Sequence, residues 1–257
     1  MGRNHSSVLV LGYHAVSETW PSPLAVRPDR LRQQLEWLVD HGYRGTTFHD
    51  AITSDPRPQT FALTFDDAYR SVLELAYPIL SSLGLPATVF AVTDFAETGR
   101  PLEWPGIDHW RGGPHEQELR GLGWQELEQL AEAGWEVGSH TLTHPRLTTL
   151  PDEALARELQ ESRAACEQAL RRPCRSLAYP YGDFDARVAQ AAEEAGYTTA
   201  AIEGLARPRP LAWPRTGIYR ENSMRLFRLK VSPTLGRLRT RFGRAERERS
   251  RLTGAEA

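Results

Sequence analysis

Short apolar runs alternate with amphipathic stretches along most of the chain, and this alternation constrains the fold more than any other feature. Short apolar runs bounded by turn residues are typical of buried strands, and apolar residues at a spacing of three to four are typical of helices. The predicted strands cover residues 8–13, 44–48, 61–65, 87–92, 135–138, 176–179, 198–202 and 215–219. The predicted helices cover residues 28–41, 71–83, 124–133, 151–171 and 186–195.

A strand-then-helix order that repeats in this way indicates a parallel sheet. With seven or eight such units we expect the sheet to close, so we predict an α/β fold, a single distorted (β/α) barrel of about seven parallel strands. The doubly wound alternative would place a glycine-rich phosphate-binding loop after the first strand, and no such loop follows residues 8–13. The barrel should occupy residues 1–235 and leave an arginine-rich tail at 236–257.

Polar side chains able to carry chemistry follow several of the predicted strands. In such barrels the chemistry lies where the strands end and the next loops begin. We therefore expect these side chains to meet at one site. They are His14, Asp66, Asp67, His140, His144 and Tyr181.

Two of these groups suggest a metal ion. Adjacent carboxylates such as Asp66 and Asp67 repel each other, and both ionise easily only when a cation or hydrogen-bond donors stabilise them. Asp67 with His140 and His144 would supply one oxygen and two nitrogens, a ligand set of the catalytic zinc type that leaves a position for water. Asp66 could then accept the proton of that water. Taken singly, a His-x-x-x-His spacing is more often structural and an Asp-Asp pair more often a turn, but together they favour the metal.

The same residues resemble the motifs of a known family, the NodB-homology polysaccharide deacetylases of carbohydrate esterase family 4. The first family motif, Thr-Phe-Asp-Asp-Gly, is matched by residues 64–68, with Ala68 in place of glycine. The second motif, His-Ser/Thr-x-x-His, is matched by residues 140–144. The third is similar to Leu-Ala-Tyr-Pro-Tyr-Gly at 177–182. The resemblance extends from about Val8 to Tyr219.

This resemblance implies a role for each matched residue. Asp66 would be the general base, and Asp67, His140 and His144 would hold a divalent transition metal, with zinc favoured although iron, cobalt or nickel also suit these ligands. The backbone N–H of Tyr181 would help to bind the oxyanion that forms during the reaction.

The chain departs from the family at two places. Many members have an arginine in the third motif that orients the base, and Ala178 stands there instead; Arg215 is our candidate replacement, the alternative being an ordinary surface arginine. The usual late strand with a general-acid histidine is absent. Residues 11–16 resemble a Tyr-His element at the start of circularly permuted members, so His14 would be the acid, the alternative being a structural histidine.

The implied function is metal-dependent removal of N-acetyl groups from an acetamido sugar in a glycan, an oligosaccharide or a lipid-linked sugar. Trp104 and Trp110 lie in a long loop, 93–123, that we expect to cover the site, and they are candidates for sugar contact. Two alternatives remain open at this point: a hydrolase of a non-sugar amide or cyclic ureide on the same barrel, and a sugar-binding barrel without catalysis.

Composition bounds the partners and the location. The net charge of −2 does not suggest a nucleic-acid partner. We expect Cys166 and Cys174 to be free thiols, although a short-loop disulfide is the alternative. No signal peptide or membrane span is evident, so we expect a cytoplasmic location. The tail at 236–257 is expected to be a solvated helix face, or alternatively a weak anchor to anionic lipid. The oligomeric state is left open.

Overall fold

A computed structural model describes residues 8–55, 57–204 and 206–232. Strands and helices in these residues follow one another much as the apolar pattern predicts. The strands are β1 (Leu9–Tyr13), β2 (Ala15–Val16), β3 (Ala25–Val26), β4 (Arg44–Thr46), β5 (Thr60–Phe65), β6 (Thr88–Ala91), β7 (Glu136–Ser139), β8 (Ser176–Ala178), β9 (Thr199–Glu203) and β10 (Trp213–Gly217). The helices are α1 (Pro28–Asp40), α2 (Phe48–Thr53), α3 (Tyr77–Ser82), α4 (Thr93–Thr98), α5 (Trp124–Glu132), α6 (Asp152–Leu170), α7 (Ala186–Glu194) and α8 (Met224–Val231).

Seven parallel strands close into a barrel in the order β1, β10, β9, β8, β7, β6, β5 and back to β1. The closing pair is in register from Leu9 opposite Phe61 to Tyr13 opposite Phe65. The short strand β4 pairs with the first half of β5, whereas β6 pairs with its second half. The predicted single barrel of about seven parallel strands is therefore confirmed.

Helix α2 closes the end of the barrel where the strands begin. Phe48 and Ile52 from this helix pack against apolar side chains inside the barrel, among them Phe90 and Trp213. The backbone N–H of Phe48 donates to Thr88 Oγ1 at 2.8 Å, which ties the helix to the first residue of β6. Because this end is filled, the interior of the barrel can open only at the opposite end, where the strands finish.

Several elements differ from the sequence prediction, which includes none of β2, β3, α2 and α4 and places the last strand two residues later than β10. The strand predicted at 44–48 stops at Thr46, because Thr47 instead caps α2 by accepting a hydrogen bond from the N–H of Asp50. The helix predicted at 71–83 starts as a π-helical turn, and α3 follows with Pro78, which has no N–H to donate, in its first turn. Helix α8 was not predicted at all, and it is capped by Ser223.

The long loop at 93–123 begins with α4 and is anchored to the rest of the barrel. The N–H of Leu102 donates to the carbonyl of Leu119 at 2.7 Å, and the N–H of Leu122 donates to that of Ala68 at 2.8 Å. Ala68 follows Asp67 directly, so the end of this loop is fixed to one of the site loops.

Other sequence predictions concern the cysteines and the chain ends. Cys166 and Cys174 are buried, free thiols, as predicted. None of the helices in the described ranges is long and apolar enough to cross a membrane. The tail at 236–257, and with it the domain boundary at 235, lies outside the described residues.

Candidate active site

A cleft of about 420 Å³ lies at the end of the barrel where the strands finish. His14 follows β1, the Asp66–Asp67 pair follows β5, and His140 follows β7. The fold thus brings together residues that are far apart in the sequence. Six of the predicted site residues line this cleft: His14, Asp66, Asp67, His140, His144 and Tyr181. The seventh, Arg215, lies beneath the floor of the cleft.

Asp67, His140 and His144 have the geometry of a metal site. Asp67 Oδ1 lies 3.4 Å from His140 Nε2 and 3.5 Å from His144 Nε2. Metal–ligand bonds of about 2.1 Å in a tetrahedral site place neighbouring ligand atoms about 3.4 Å apart. Asp67 Oδ1 is buried and has no hydrogen-bond partner in the part of the chain that the structure describes. These residues therefore fit a divalent transition metal.

The loop that carries both histidines is held by an acidic residue of α6. Glu158 accepts hydrogen bonds from the backbone N–H groups of Leu142 and Thr143, at 2.9 Å each, and from Thr143 Oγ1 at 2.6 Å. His140 is fixed separately, because its Nδ1 lies 2.7 Å from the carbonyl oxygen of Ala178 and its Nε2 is left to face Asp67. The sequence analysis missed Glu158, although its place among the apolar residues of α6 is a usable signal.

Asp66 is clamped by Arg215. The two guanidinium nitrogens of Arg215 donate to the two carboxylate oxygens of Asp66 at 2.6 Å each, and one of them also donates to Thr64 Oγ1 at 2.9 Å. Arg215 is only 4% exposed, so the alternative of a surface arginine is wrong. Burial, the largest single effect, raises the pKa of Asp66, but the charge and hydrogen bonds of Arg215, together with the nearby His140 and His14, hold that pKa well below its usual range. Asp66 is therefore an ionised carboxylate.

His14 lies on the other side of Asp66. Its Nε2 is 4.0 Å from Asp66 Oδ2, and the ring of Tyr219 is stacked alongside with 6.3 Å between centroids. The hydroxyl of Tyr219 donates to the carboxylate of Glu203, which also lines the cleft. Burial lowers the pKa of His14, while the charges of Asp66 and Glu203 raise it. Sequence reasoning missed Glu203 and Tyr219, and no local pattern marks either of them.

Tyr181 forms one wall of the cleft. Its ring packs against that of His144 at 4.7 Å between centroids, and the guanidinium of Arg146 lies 4.4 Å from the centre of the Tyr181 ring. The Tyr181 hydroxyl donates weakly to the carbonyl of Pro105 in the long loop, at 3.4 Å. The phenol therefore connects the loop after β8 with the long loop across the cleft.

Backbone strain is concentrated in the loops that carry the site. Left-handed backbone at residues other than glycine is costly and tends to persist at functional positions. Among the described residues, seven such positions occur and five of them belong to these loops. The five are Asp67 (φ 68°), Ala68 (φ 51°), Thr141 (φ 71°), His144 (φ 66°) and Tyr181 (φ 60°).

The protonation states also suit a cation. Burial lowers the pKa of His140 to about 4 and that of His144 well below the usual value, so both rings are neutral and able to ligate. Burial and the charge of Asp66 raise the pKa of Asp67 well above its usual value. A divalent cation at this point would reverse that last effect by stabilising the carboxylate.

This parallel barrel brings together three side chains that could hold a metal ion, and comparison with known proteins identifies the class. A family model described as "Polysaccharide deacetylase" matches residues 53–200, more than half of the chain. The chain therefore belongs to the polysaccharide deacetylase family. The class of protein is a hydrolytic deacetylase acting on amide bonds.

Individual relatives agree with this class. YxkH of Bacillus subtilis, named as a candidate polysaccharide deacetylase, is 27% identical over 229 residues, which cover 87% of this chain and 71% of YxkH. The poly-beta-1,6-N-acetyl-D-glucosamine N-deacetylase of Staphylococcus aureus is 22% identical over 171 residues, which cover 62% of this chain and 54% of that enzyme. The chain thus spans about half the length of the staphylococcal relative.

The fold of a solved deacetylase is similar as well. The structure of the Streptococcus pyogenes deacetylase PplD in complex with acetate superposes with a TM-score of 0.74 at 22% identity. The match covers 88% of this chain and 98% of that one. At this identity the likeness establishes a shared barrel fold.

Proposed function

We propose that this protein is a metal-dependent N-deacetylase that hydrolyses the acetamido group of a sugar in a glycan, an oligosaccharide or a lipid-linked sugar. The observation that carries the proposal is the position of an ionised carboxylate, Asp66, directly beside a three-residue metal ligand set in an open cleft. The names of the relatives, which include an N-acetylglucosamine polymer deacetylase, support a carbohydrate substrate.

Asp67, His140 and His144 would hold the ion, and zinc is our proposal for its identity because one oxygen and two nitrogens suit it. When bound, such an ion acidifies a water molecule and polarises the acetyl carbonyl. The chain supplies the remaining chemistry from the residues around these ligands.

Asp66 accepts the proton of the attacking water. Its two carboxylate oxygens are fixed by Arg215, so the base meets the water in one orientation. When the water adds to the acetyl carbonyl carbon, the carbonyl oxygen becomes an oxyanion, and the backbone N–H of Tyr181 donates to it. His14 then protonates the departing amine, which is required because a free amide anion is a very poor leaving group. Acetate and the amino sugar are the products.

The runner-up substrate class is a non-sugar amide or a cyclic ureide on the same barrel. The carbohydrate names of the relatives favour the sugar. The other alternative, a sugar-binding barrel without catalysis, does not fit the deacetylase class established above.

The test is acetate release by the metal-loaded protein from N-acetylglucosamine oligomers, compared with turnover of a cyclic ureide. We expect activity on the oligomers alone. An Asp66→Asn variant should bind metal as the wild type does and lose a factor of about 10² to 10⁴ in turnover. Activity on the ureide alone would reject the sugar substrate, and full activity of Asp66→Asn would remove Asp66 from the base role.

Two further predictions concern the location of the protein and its tail at 236–257, which lies outside the described residues. A cytoplasmic location stays a prediction, as does weak attachment of the tail at 236–257 to anionic lipid. Co-sedimentation with anionic vesicles, with and without residues 236–257, tests the second; equal sedimentation of the two proteins would reject it.

A further inference from the structure

The two histidines of the metal site are oriented by different means. A ligating histidine usually donates its second ring nitrogen to a carbonyl or carboxylate, which fixes the ring and its tautomer. His140 follows this rule, with Nδ1 against the carbonyl of Ala178 at 2.7 Å. Nδ1 of His144 is buried, yet it has no hydrogen-bond partner within residues 8–55, 57–204 and 206–232. Something other than a hydrogen bond must hold the His144 ring.

Aromatic rings surround His144 in place of that hydrogen bond. Trp104 is stacked on its face, with 4.1 Å between centroids and 24° between the planes. Tyr181 meets it edge-on at 4.7 Å, and His140 does so at 4.8 Å. Because a stack at 4.1 Å leaves no space between two flat rings, the imidazole cannot turn without displacing the indole.

Trp104 is itself well fixed. It is only 6% exposed, and its ring meets that of Phe95 edge-on at 5.4 Å. Its carbonyl accepts hydrogen bonds from the N–H groups of Ile107 and Asp108, at 3.1 Å each. A rigid residue of the long loop is therefore pressed against a side chain of the metal site.

We propose that Trp104 is the positioning residue for His144, and that its indole aims Nε2 of His144 at the metal through stacking. This inference rests on the metal site of the proposed function. It makes the long loop part of the metal site, although the loop contributes no ligand. By linkage, if the stack favours metal binding, bound metal favours the stack to the same degree.

Metal affinity separates this role from a merely structural one. Trp104→Leu keeps an apolar side chain but removes the flat face, and Trp104→Phe restores a flat ring. The matched control is Trp110→Leu. Trp110 lies in the same loop and lines the same cleft, but the rings that it contacts belong to Trp20, His109 and His115, which are not proposed metal ligands. Competition between each protein and a chelator for Co²⁺ measures affinity, and the Co²⁺ absorption spectrum reports the ligand geometry.

We expect Trp104→Leu to weaken Co²⁺ binding by about tenfold and to alter the spectrum, as loss of an orienting partner does for other metal ligands. Trp104→Phe should recover most of the affinity, and Trp110→Leu should bind as the wild type does. Wild-type affinity in Trp104→Leu, or an equal loss in Trp110→Leu, would overturn the inference. Thermal unfolding of each metal-free variant checks that it folds. If Trp104→Leu does not fold, Trp104→Met replaces it with Trp110→Met as its control: a lower Co²⁺ affinity in Trp104→Met supports the inference, and equal affinities overturn it.

The reciprocal effect gives a second measurement. Arg111 and Arg120 are exposed in the long loop and each precedes a glycine, so they offer two trypsin sites after Trp104. Co²⁺ should slow cleavage at these sites in the wild type, and slow it less in Trp104→Leu. A wild-type protein that binds no metal at all would reject the proposed function. Equal metal affinity in the wild type and in Trp104→Leu would reject only this inference.

Discussion

The guanidinium of Arg215 donates two hydrogen bonds of 2.6 Å to the carboxylate of Asp66, although the residues lie 149 positions apart in the chain. The third motif, where the family resemblance leads us to expect an arginine, has Ala178, whose carbonyl orients His140. We propose that Arg215, from strand β10, takes the place of that arginine.

This clamp predicts that Arg215 acts through geometry as well as charge. Arg215→Lys keeps the positive charge but loses the fork that holds both carboxylate oxygens. Because small displacements of a reacting group can be costly, we expect turnover to fall by about 10²-fold with little change in KM. Steady-state kinetics of the metal-loaded variant measure this.

Arg215→Gln serves as the comparison, since it leaves the buried Asp66 without a charged partner. It should lower the free energy of unfolding by about 3–5 kcal/mol, as loss of one member of a buried pair does. Wild-type turnover in Arg215→Lys would contradict the positioning role.

A second prediction concerns pH. If His14 is the general acid, activity falls as the pH rises through the pKa of His14, because only the protonated ring can donate. The charge of Glu203 raises that pKa against the effect of burial. Glu203→Gln should therefore lower the pKa of His14 and move the alkaline limb of the kcat/KM profile to lower pH.

Tyr219→Phe is the control for this change. It removes the hydroxyl that donates to Glu203 but keeps the carboxylate charge and the ring beside His14. Its alkaline limb should move less than that of Glu203→Gln. An unmoved or higher limb in Glu203→Gln would show that another group sets the limb.

A third prediction concerns Ala68, which replaces the motif glycine and has left-handed backbone with a φ of 51°. Ala68→Gly relieves strain of about 1–2 kcal/mol, but it loses a buried methyl worth about 0.8 kcal/mol and adds chain entropy worth about 0.5–1 kcal/mol. The free energy of unfolding should therefore stay within about 1 kcal/mol of the wild type, with activity retained.

Ala68→Val gives the contrasting result, because a β-branched residue in this backbone is a steric outlier. We expect it to lower the free energy of unfolding in urea by about 2 kcal/mol or more. A well-tolerated valine together with a damaging glycine would mean that the volume of the side chain outweighs the backbone strain.

The barrel could be predicted because most of its strands are short continuous apolar runs and its main helices are long enough to show a helical period. Helix α2 has only six residues, too few for a helical pattern to emerge from the sequence. In α8 only Phe227 and Val231 are buried, whereas Leu226 and Leu229 are exposed. The apolar face of that helix is therefore obscured by apolar residues on its other side.

The proposed metal ligands could be predicted because each set is short and local in the sequence. The contacts between sets are harder to predict. Arg215 can be named from the sequence only as a candidate, through the family resemblance, because its contact with Asp66 depends on how β10 and β5 are placed around a closed barrel. The stack of Trp104 on His144 depends on the path of a long, aperiodic loop and leaves no local trace in the sequence.

The most direct test of the central claim is the number of divalent metal ions bound per chain, measured by elemental analysis after dialysis against Zn²⁺. We expect one ion in the wild type, and loss of that ion in Asp67→Ala and in His140→Ala. At a free Zn²⁺ concentration of 100 times the Kd, the wild type should gain about 2.7 kcal/mol of stability over the metal-free protein. A wild-type protein that binds no ion, or an Asp67→Ala variant that binds one as tightly, would contradict the account.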